Sequence, residues 1–165
     1  MGASAFNESH SLYRAIVPAA DMGNLAFFKY CSHLIFGAIG KASGGFYYST
    51  GLRDVVVSGG TSITDTMFSG CSALQKIVFP GTITYIGTSS FKECYGVKIF
   101  DFSACNSVPT LAGTGAFNST SATKQIVVPD ALYEDWKVAT NWSSDTNGIV
   151  NSIVKASAYV NGGQS

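Results

Sequence analysis

The apolar positions of the chain recur in a fixed order after a phenylalanine. With that phenylalanine as position zero, an apolar residue usually follows at plus six, two more at plus nine and plus eleven, and often a proline at plus twelve. The clearest copy runs from Phe68 to Pro80 and has Leu74, Ile77 and Phe79 at the three apolar positions. Self-similarity of this kind is the sequence signature of a repeat architecture.

Six copies of the pattern can be aligned on phenylalanines that we call the anchors: Phe6, Phe28, Phe46, Phe68, Phe91 and Phe117. The steps between anchors are 22, 18, 22, 23 and 26 residues, close to the roughly 20 to 29 residues of leucine-rich repeats. The last copy is degraded, since Thr123 stands at plus six. The spacing predicts a solenoid of about six short coils.

The apolar residues at plus nine and plus eleven have the period of a short strand with one buried face. A single coil is too small to bury its apolar side, so neighbouring coils must stack and share one core. Stacking aligns the strands into a parallel sheet, and a sequence such as Pro80-Gly81-Thr82 ends the strand and supplies a turn. The predicted fold class is therefore a repeat solenoid of leucine-rich-repeat type, irregular α/β or mostly β. A globular all-β domain is the alternative, but it does not explain the recurring phenylalanine.

The pattern changes after Pro129. Asp130 is predicted to cap a helix over residues 130–141 that closes the C-terminal end of the stack. The apolar side of this helix holds Leu132, Tyr133, Trp136 and Ala139. We therefore divide the chain into a solenoid over 1–129, a C-terminal cap over 130–160, in which residues 149–156 are compatible with one more strand, and a disordered tail over 161–165.

These repeats resemble the BspA-like leucine-rich-repeat proteins of bacterial and protozoan surfaces. The resemblance rests on ITDTMFSGCSAL at 63–74 and ITYIGTSSFKEC at 83–94, covers about residues 1–130, and includes a closing stretch at 128–136 similar to a C-terminal module often attached to such arrays. It implies a surface or secreted protein that binds macromolecules of a host or neighbouring cell and performs no catalysis. The coils at Phe28 and Phe46 depart from the pattern because they lack the proline, and the sequence shows no evident secretory signal or anchor.

Composition argues against a nucleic-acid partner and against a membrane-spanning segment. The chain has ten Lys and Arg against ten Asp and Glu, and the basic residues are scattered singly, whereas nucleic-acid binding needs them gathered on one face. No apolar run approaches the roughly 20 residues of a membrane span. We expect neither a nucleic-acid partner nor a membrane-spanning segment.

The cysteines and histidines do not indicate a metal site. Cys31, Cys71 and Cys94 share the plus-three position and form no close pair of the zinc-binding kind. Equal positions on adjacent coils lie roughly 4.7 to 4.9 Å apart, so Cys71 and Cys94 form either a disulfide or part of a ladder of buried free thiols. His10 and His33 are predicted to lie in surface turns.

No catalytic constellation is found. The chain has no Gly-x-Ser-x-Gly elbow, and neither histidine has an obvious carboxylate partner. The segment 37–42 lacks the first glycine and the final Ser or Thr of a phosphate loop, and no spacing pairs Asp54, Asp65 or Asp101 for glycoside chemistry. We assign no catalytic, cofactor-binding or metal-ligating residue and expect no cofactor.

The strand positions between the buried ones point outward and form a candidate partner-binding face. At plus ten stand Ile16, Ala38, Val56, Val78, Asp101 and Val127, and at plus eight stand Arg14, Phe36, Asp54, Lys76, Ile99 and Gln125. An apolar middle with polar flanks is typical of an interaction site. This pattern favours a recognition or adhesion module that binds a protein or glycan through this face. The alternatives are a structural spacer or self-associating array in a longer protein, and a row of β-branched residues that merely suits strands.

Overall fold

Stacked parallel strands dominate the computed structural model, which describes Arg14–Val17, His33–Gly37 and residues 45–159. Within these residues the strands are β1 (Arg14–Val17), β2 (His33–Gly37), β3 (Asp54–Gly59), β4 (Ser62–Ile63), β5 (Lys76–Val78), β6 (Tyr85–Ile86), β7 (Ile99–Asp101), β8 (Thr110–Leu111), β9 (Gln125–Val128) and β10 (Ile153–Lys155). A seven-stranded sheet has the order β1-β2-β3-β5-β7-β9-β10, and a three-stranded sheet has the order β4-β6-β8. The pairs are parallel in both sheets, which confirms the predicted solenoid.

The register of the larger sheet reproduces the repeat phase from the third coil onward. Asp54 pairs with Lys76, Lys76 with Ile99, and Ile99 with Gln125, all at plus eight. The residues at plus nine, which include Val55 of β3, are buried on every one of these strands.

The second coil is out of phase with the prediction. His33 pairs with Asp54 and Ile35 with Val56, so His33 and Ile35 occupy the plus-eight and plus-ten positions. The assignment of Phe36 to plus eight is wrong, since Phe36 pairs with the buried Val57, and Ala38 lies outside the described residues.

The short step of 18 residues to Phe46 explains the error. Eight positions before His33 stands Leu25, which would divide the distance from Phe6 to Phe46 more evenly than Phe28 does. A search for phenylalanine misses a leucine at the same position. His33 also begins β2, so its predicted place in a turn is wrong, while His10 lies outside the described residues.

The anchor segments form a third hydrogen-bonded side of the solenoid, which we call the anchor side. The amide of Phe46 donates to the carbonyl of Met67 (2.8 Å), and that of Phe68 donates to the carbonyl of Ser90 (2.8 Å). Neighbouring coils are thus joined by backbone hydrogen bonds along both sheets and along the anchor side.

The anchors meet in a single core. Phe46 stacks on Phe68 with ring centroids 5.2 Å apart, Phe68 on Phe91 at 5.8 Å, and Phe91 on Phe117 at 5.8 Å. All four rings are fully buried. The shared interior predicted from the repeat is therefore present across the described coils.

The described cysteines are buried free thiols. Cys71 Sγ donates to the carbonyl of Phe46 (3.1 Å), and Cys94 Sγ to that of Phe68 (3.2 Å). Burial raises the pKa of Cys71 to about 12 and raises the pKa of Cys94 well above its usual range. Of the two arrangements left open by the sequence, these cysteines adopt the thiol ladder, and the thiolate needed for reactivity is disfavoured. Cys31 lies outside the described residues.

The C-terminal helix is present but shorter than predicted. A 3₁₀ turn over Asp130–Leu132 leads into α1 (Tyr133–Val138), which ends three residues before position 141. Asp130 does not cap the helix, because its Oδ1 accepts a hydrogen bond from the amide of Ser157 (2.9 Å). The expected apolar side is confirmed, since Trp136 is fully buried and Leu132, Tyr133 and Ala139 pack against the core.

The last part of the chain contributes a strand, as the sequence allowed. Within the predicted range 149–156, residues Ile149–Ser152 form a helical turn, α2, and the strand is β10. β10 pairs in parallel with β9, with Ile153 beside Ile126. The predicted tail over 161–165 lies outside the described residues.

Candidate partner-binding face

The outward side chains of β3, β5, β7 and β9, at plus eight and plus ten, form what we call the outer face of the larger sheet. In β3 the side chains of Val55 and Val57 are buried, whereas Val56 between them is 38% exposed. This alternation follows from the pleat of a strand that has one face against a core. The side chain of Val56 therefore points outward, as the plus-ten position predicts.

The apolar part of the outer face is small and lies on three adjacent strands. Val56 pairs with Val78, and Ile99 lies on the next strand. Val78 and Ile99 are half-buried. These three aliphatic side chains form the apolar patch of the outer face.

Polar groups with fixed partners border this patch. Lys76 Nζ lies 3.7 Å from Asp101 Oδ2, and Asp101 Oδ1 accepts hydrogen bonds from the amide (3.1 Å) and the hydroxyl (2.6 Å) of Ser103. The charges of this pair offset one another, and Asp54, in register with Lys76, adds a second carboxylate to the same border.

The structure brings together most of the predicted residues. Asp54, Lys76, Ile99 and Gln125 share one row, and Val56, Val78 and Asp101 share the next. Arg14 and Ile16 stand at the corresponding register positions of β1. Sequence reasoning missed His33 and Ile35 of β2, which an even spacing of the coils would have indicated.

Val127 is an exception. Its side chain is only 1% exposed, so its predicted availability on the face is wrong. The prediction considered the repeats alone, whereas the cap places β10 beside β9 with Val154 in register with Val127. On β9 the outer face therefore keeps Gln125 exposed but not Val127.

A groove of about 440 Å³ lies between β8 and the residues that follow α1. Two of its polar side chains are already engaged: Asn141 Nδ2 donates to the carbonyl of Leu111 (2.7 Å), and Trp142 Nε1 donates to that of Pro109 (2.7 Å). These bonds satisfy the edge of the smaller sheet. The groove therefore lies where the cap meets the edge of the smaller sheet, and its Asn141 and Trp142 side chains are used in that contact.

The described residues contain no group of three or more His, Cys, Asp and Glu side chains that could hold a metal ion. Among the helices of the described ranges, none has the length and apolar character to cross a membrane.

Comparison with known proteins places these features in a family. The sequence model of a family described as "BspA type Leucine rich repeat region (6 copies)" matches residues 39–137. A solved leucine-rich repeat protein from Bacteroides ovatus ATCC 8483 is similar with 16% sequence identity and a TM-score of 0.49, over 85% of this chain and 42% of that protein. The chain thus spans less than half the length of this solved structure. None of the curated proteins matches the chain.

Proposed function

Because the chain belongs to the family of BspA-type leucine-rich-repeat proteins, we propose that it is a non-catalytic interaction module that binds a macromolecular partner through its outer face. The repeat family supports a role in protein interaction, since solenoids offer extended surfaces for partners. An adhesive role at a bacterial cell surface or in secreted form is part of the same proposal and rests on the family alone.

The observation that carries the proposal is the exposure of Val56 within an apolar patch that the Lys76–Asp101 ion pair borders. A β-branched side chain in a strand needs no functional reason, but Val56, Val78 and Ile99 lie together on three strands. The patch has the arrangement of an interface core with a polar rim, the rim being Asp54, Lys76 and Asp101.

Two substitutions in the centre of the patch test the proposal. The double variant Val56→Lys, Val78→Lys introduces two ammonium groups that a bound partner would have to desolvate. Binding to immobilised extracellular-matrix proteins is measured by surface plasmon resonance. We expect the affinity of the double variant to fall at least about tenfold, because the complex would bury unpaired charges. Circular dichroism of both proteins checks that the fold is kept.

The matched control is Val138→Lys on α1, because Val138 is 78% exposed and lies on a helix outside the outer face. This variant should bind like the unmodified protein. Equal binding by the double variant would refute the outer face as the interaction site. A chain that binds none of the matrix proteins would favour the structural spacer instead. Loss of a dimer in the double variant, seen by light scattering, would favour self-association.

A further inference from the structure

A row of left-handed backbone positions runs along the anchor side. Two residues after each of the four anchors from Phe46 to Phe117 the φ angle is positive: 56° at Tyr48, 77° at Gly70, 63° at Glu93 and 56° at Ser119. Glycine adopts this conformation without the steric conflict that a Cβ causes. Among these four described coils only the fourth uses glycine at this position. The third coil holds a tyrosine there at the expense of backbone strain.

The ring of Tyr48 lies across Gly70. A Cβ built on Gly70 would stand 2.8 Å from Cγ and Cδ1 of Tyr48 and 3.0 Å from Cδ2. Near-equal distances to three ring carbons place the ring face directly over the glycine. The ring can lie there only because Gly70 has no side chain.

The far end of the tyrosine is fixed to the next coil. Tyr48 Oη donates a hydrogen bond to Glu93 Oε2 (3.0 Å), and this bond is the main cause that raises the pKa of Tyr48 to about 12. The amide of Tyr48 donates to the carbonyl of Ser69 (2.8 Å). Tyr48 is therefore held at three points: its amide and its ring contact the fourth coil, and its hydroxyl contacts the fifth.

The surroundings of this ring are aromatic at one end and polar at the other. The ring of Tyr47 stands at 80° to that of Tyr48, with centroids 4.5 Å apart, and the two side chains are 46% and 44% exposed. Lys92 Nζ lies 3.4 Å from Glu93 Oε1. We call Tyr47, Tyr48, Lys92 and Glu93 the tyrosine platform.

We propose that the tyrosine platform is a binding site for a neutral saccharide. The apolar C–H face of a hexose fits an exposed aromatic ring that is held rigid. The remaining lone pairs of Glu93 and the remaining donors of Lys92 match sugar hydroxyls, which both donate and accept. Because Tyr48 is already fixed, little side-chain freedom is lost on binding.

The balance of charges selects a neutral ligand. Glu93 disfavours an anion and Lys92 disfavours a cation, while a wholly apolar ligand would leave both groups desolvated and without hydrogen bonds. The site lies on the anchor side and not on the outer face. It therefore does not depend on the function proposed above.

An NMR titration of the full chain tests this site. Cellohexaose, maltohexaose and chitohexaose are added separately to the ¹⁵N-labelled protein. We expect at least one of them to shift the amide signals of Tyr48, Gly70 and Glu93 in a saturable manner, with a dissociation constant on the order of 1 mM. Shifts confined to the outer face, or no shifts with any of the three, would overturn the proposal.

Tyr48→Gly is the decisive variant, because it removes the ring while glycine accepts the left-handed backbone without strain. Its affinity for the active saccharide should fall at least tenfold, whereas unchanged affinity would contradict the proposal. The matched control Tyr85→Ala removes an exposed tyrosine from β6 and should bind normally. The double variant Val56→Lys, Val78→Lys should also keep saccharide binding, which separates this test from that of the outer face.

Discussion

At the scale of single residues, a left-handed backbone conformation recurs two positions after the described anchors. In the row two residues after the described anchors, Tyr48, Glu93 and Ser119 are left-handed without being glycine or asparagine, and of these four positions only Gly70 carries the expected sequence signal. The row could not be predicted for this reason, and neither could the tyrosine platform that depends on it. The buried rows were predictable, because phenylalanine and aliphatic residues recur there in a fixed order.

Gly70→Ala should destabilise the protein by about 2 kcal/mol, combining left-handed strain with displacement of an aromatic ring. The new methyl group would stand 2.8 Å from the ring of Tyr48, so the ring must move and lose its hydrogen bond to Glu93. Urea unfolding followed by circular dichroism measures the change in the free energy of unfolding.

Gly59→Ala is the matched control, since a Cβ at Gly59 meets no atom within 4 Å and its φ lies outside the left-handed region. It should change the free energy of unfolding by no more than about 0.5 kcal/mol. In the double variant Gly70→Ala, Tyr48→Gly the steric conflict is absent and only the backbone part of the loss should remain. Equal stability of Gly70→Ala and Gly59→Ala would show that the ring does not lie over Gly70.

At the scale of secondary-structure elements, alternation predicted β3, β5, β7 and β9 of the larger sheet, but not the two-residue strands β4, β6 and β8 of the smaller sheet, which are too short to show a period. The error in β2 arose because the pattern was aligned on phenylalanine, and a side chain's row follows from register, not from residue type. The end of α1 was placed too late because the sequence shows apolar residues up to Ala139 but not the tertiary contacts that turn the chain there.

The cap closes the two sheets by different means. β10 continues the larger sheet as a further strand, whereas the edge of the smaller sheet is completed by side chains. Asn141 and Trp142 donate to the carbonyls of Leu111 and Pro109 in place of another coil. Unpaired strand edges invite association with other chains, so these bonds protect β8. The sequence does not reveal them, because the partners lie about 30 residues apart.

The two tryptophans of the cap provide a matched pair for testing this closure. Both indoles are fully buried, but Trp142 Nε1 donates to Pro109 while Trp136 Nε1 has no partner among the described residues. Trp142→Phe should therefore cost about 1 to 3 kcal/mol more than Trp136→Phe, because it leaves a buried carbonyl without its donor.

Chemical denaturation of both variants, followed by circular dichroism, measures this difference. The two substitutions remove the same number of atoms from the same aromatic cluster, in which the indole centroids are 5.3 Å apart. The loss of packing should consequently be similar in both. If Trp136→Phe proves the more destabilising, the hydrogen bond to Pro109 is not what closes the smaller sheet.

At the scale of the whole molecule, the aromatic core continues from the coils into the cap. Phe102 lies 5.4 Å from Trp136, and Phe117 lies 5.7 Å from Trp142. A solenoid in which each unit contacts its neighbours gains stability from the interfaces between units. Residues on both sides of position 129 therefore belong to one continuous core. Such continuity joins the strands of the outer face to one packed interior.

Continuity of the core predicts that coils and cap unfold together. Phe68→Ala removes a ring that stacks on both Phe46 and Phe91, and it should cost about 3 to 5 kcal/mol. Both tryptophans lie in the cap, so their fluorescence reports the cap, whereas far-ultraviolet circular dichroism reports the whole chain. We expect the two urea transitions of the variant to coincide and to shift together to lower urea. Tyr95→Ala, which truncates an exposed side chain, should leave both in place. A fluorescence transition that stays unchanged while the dichroism transition moves would show that residues 130–160 fold separately from the coils.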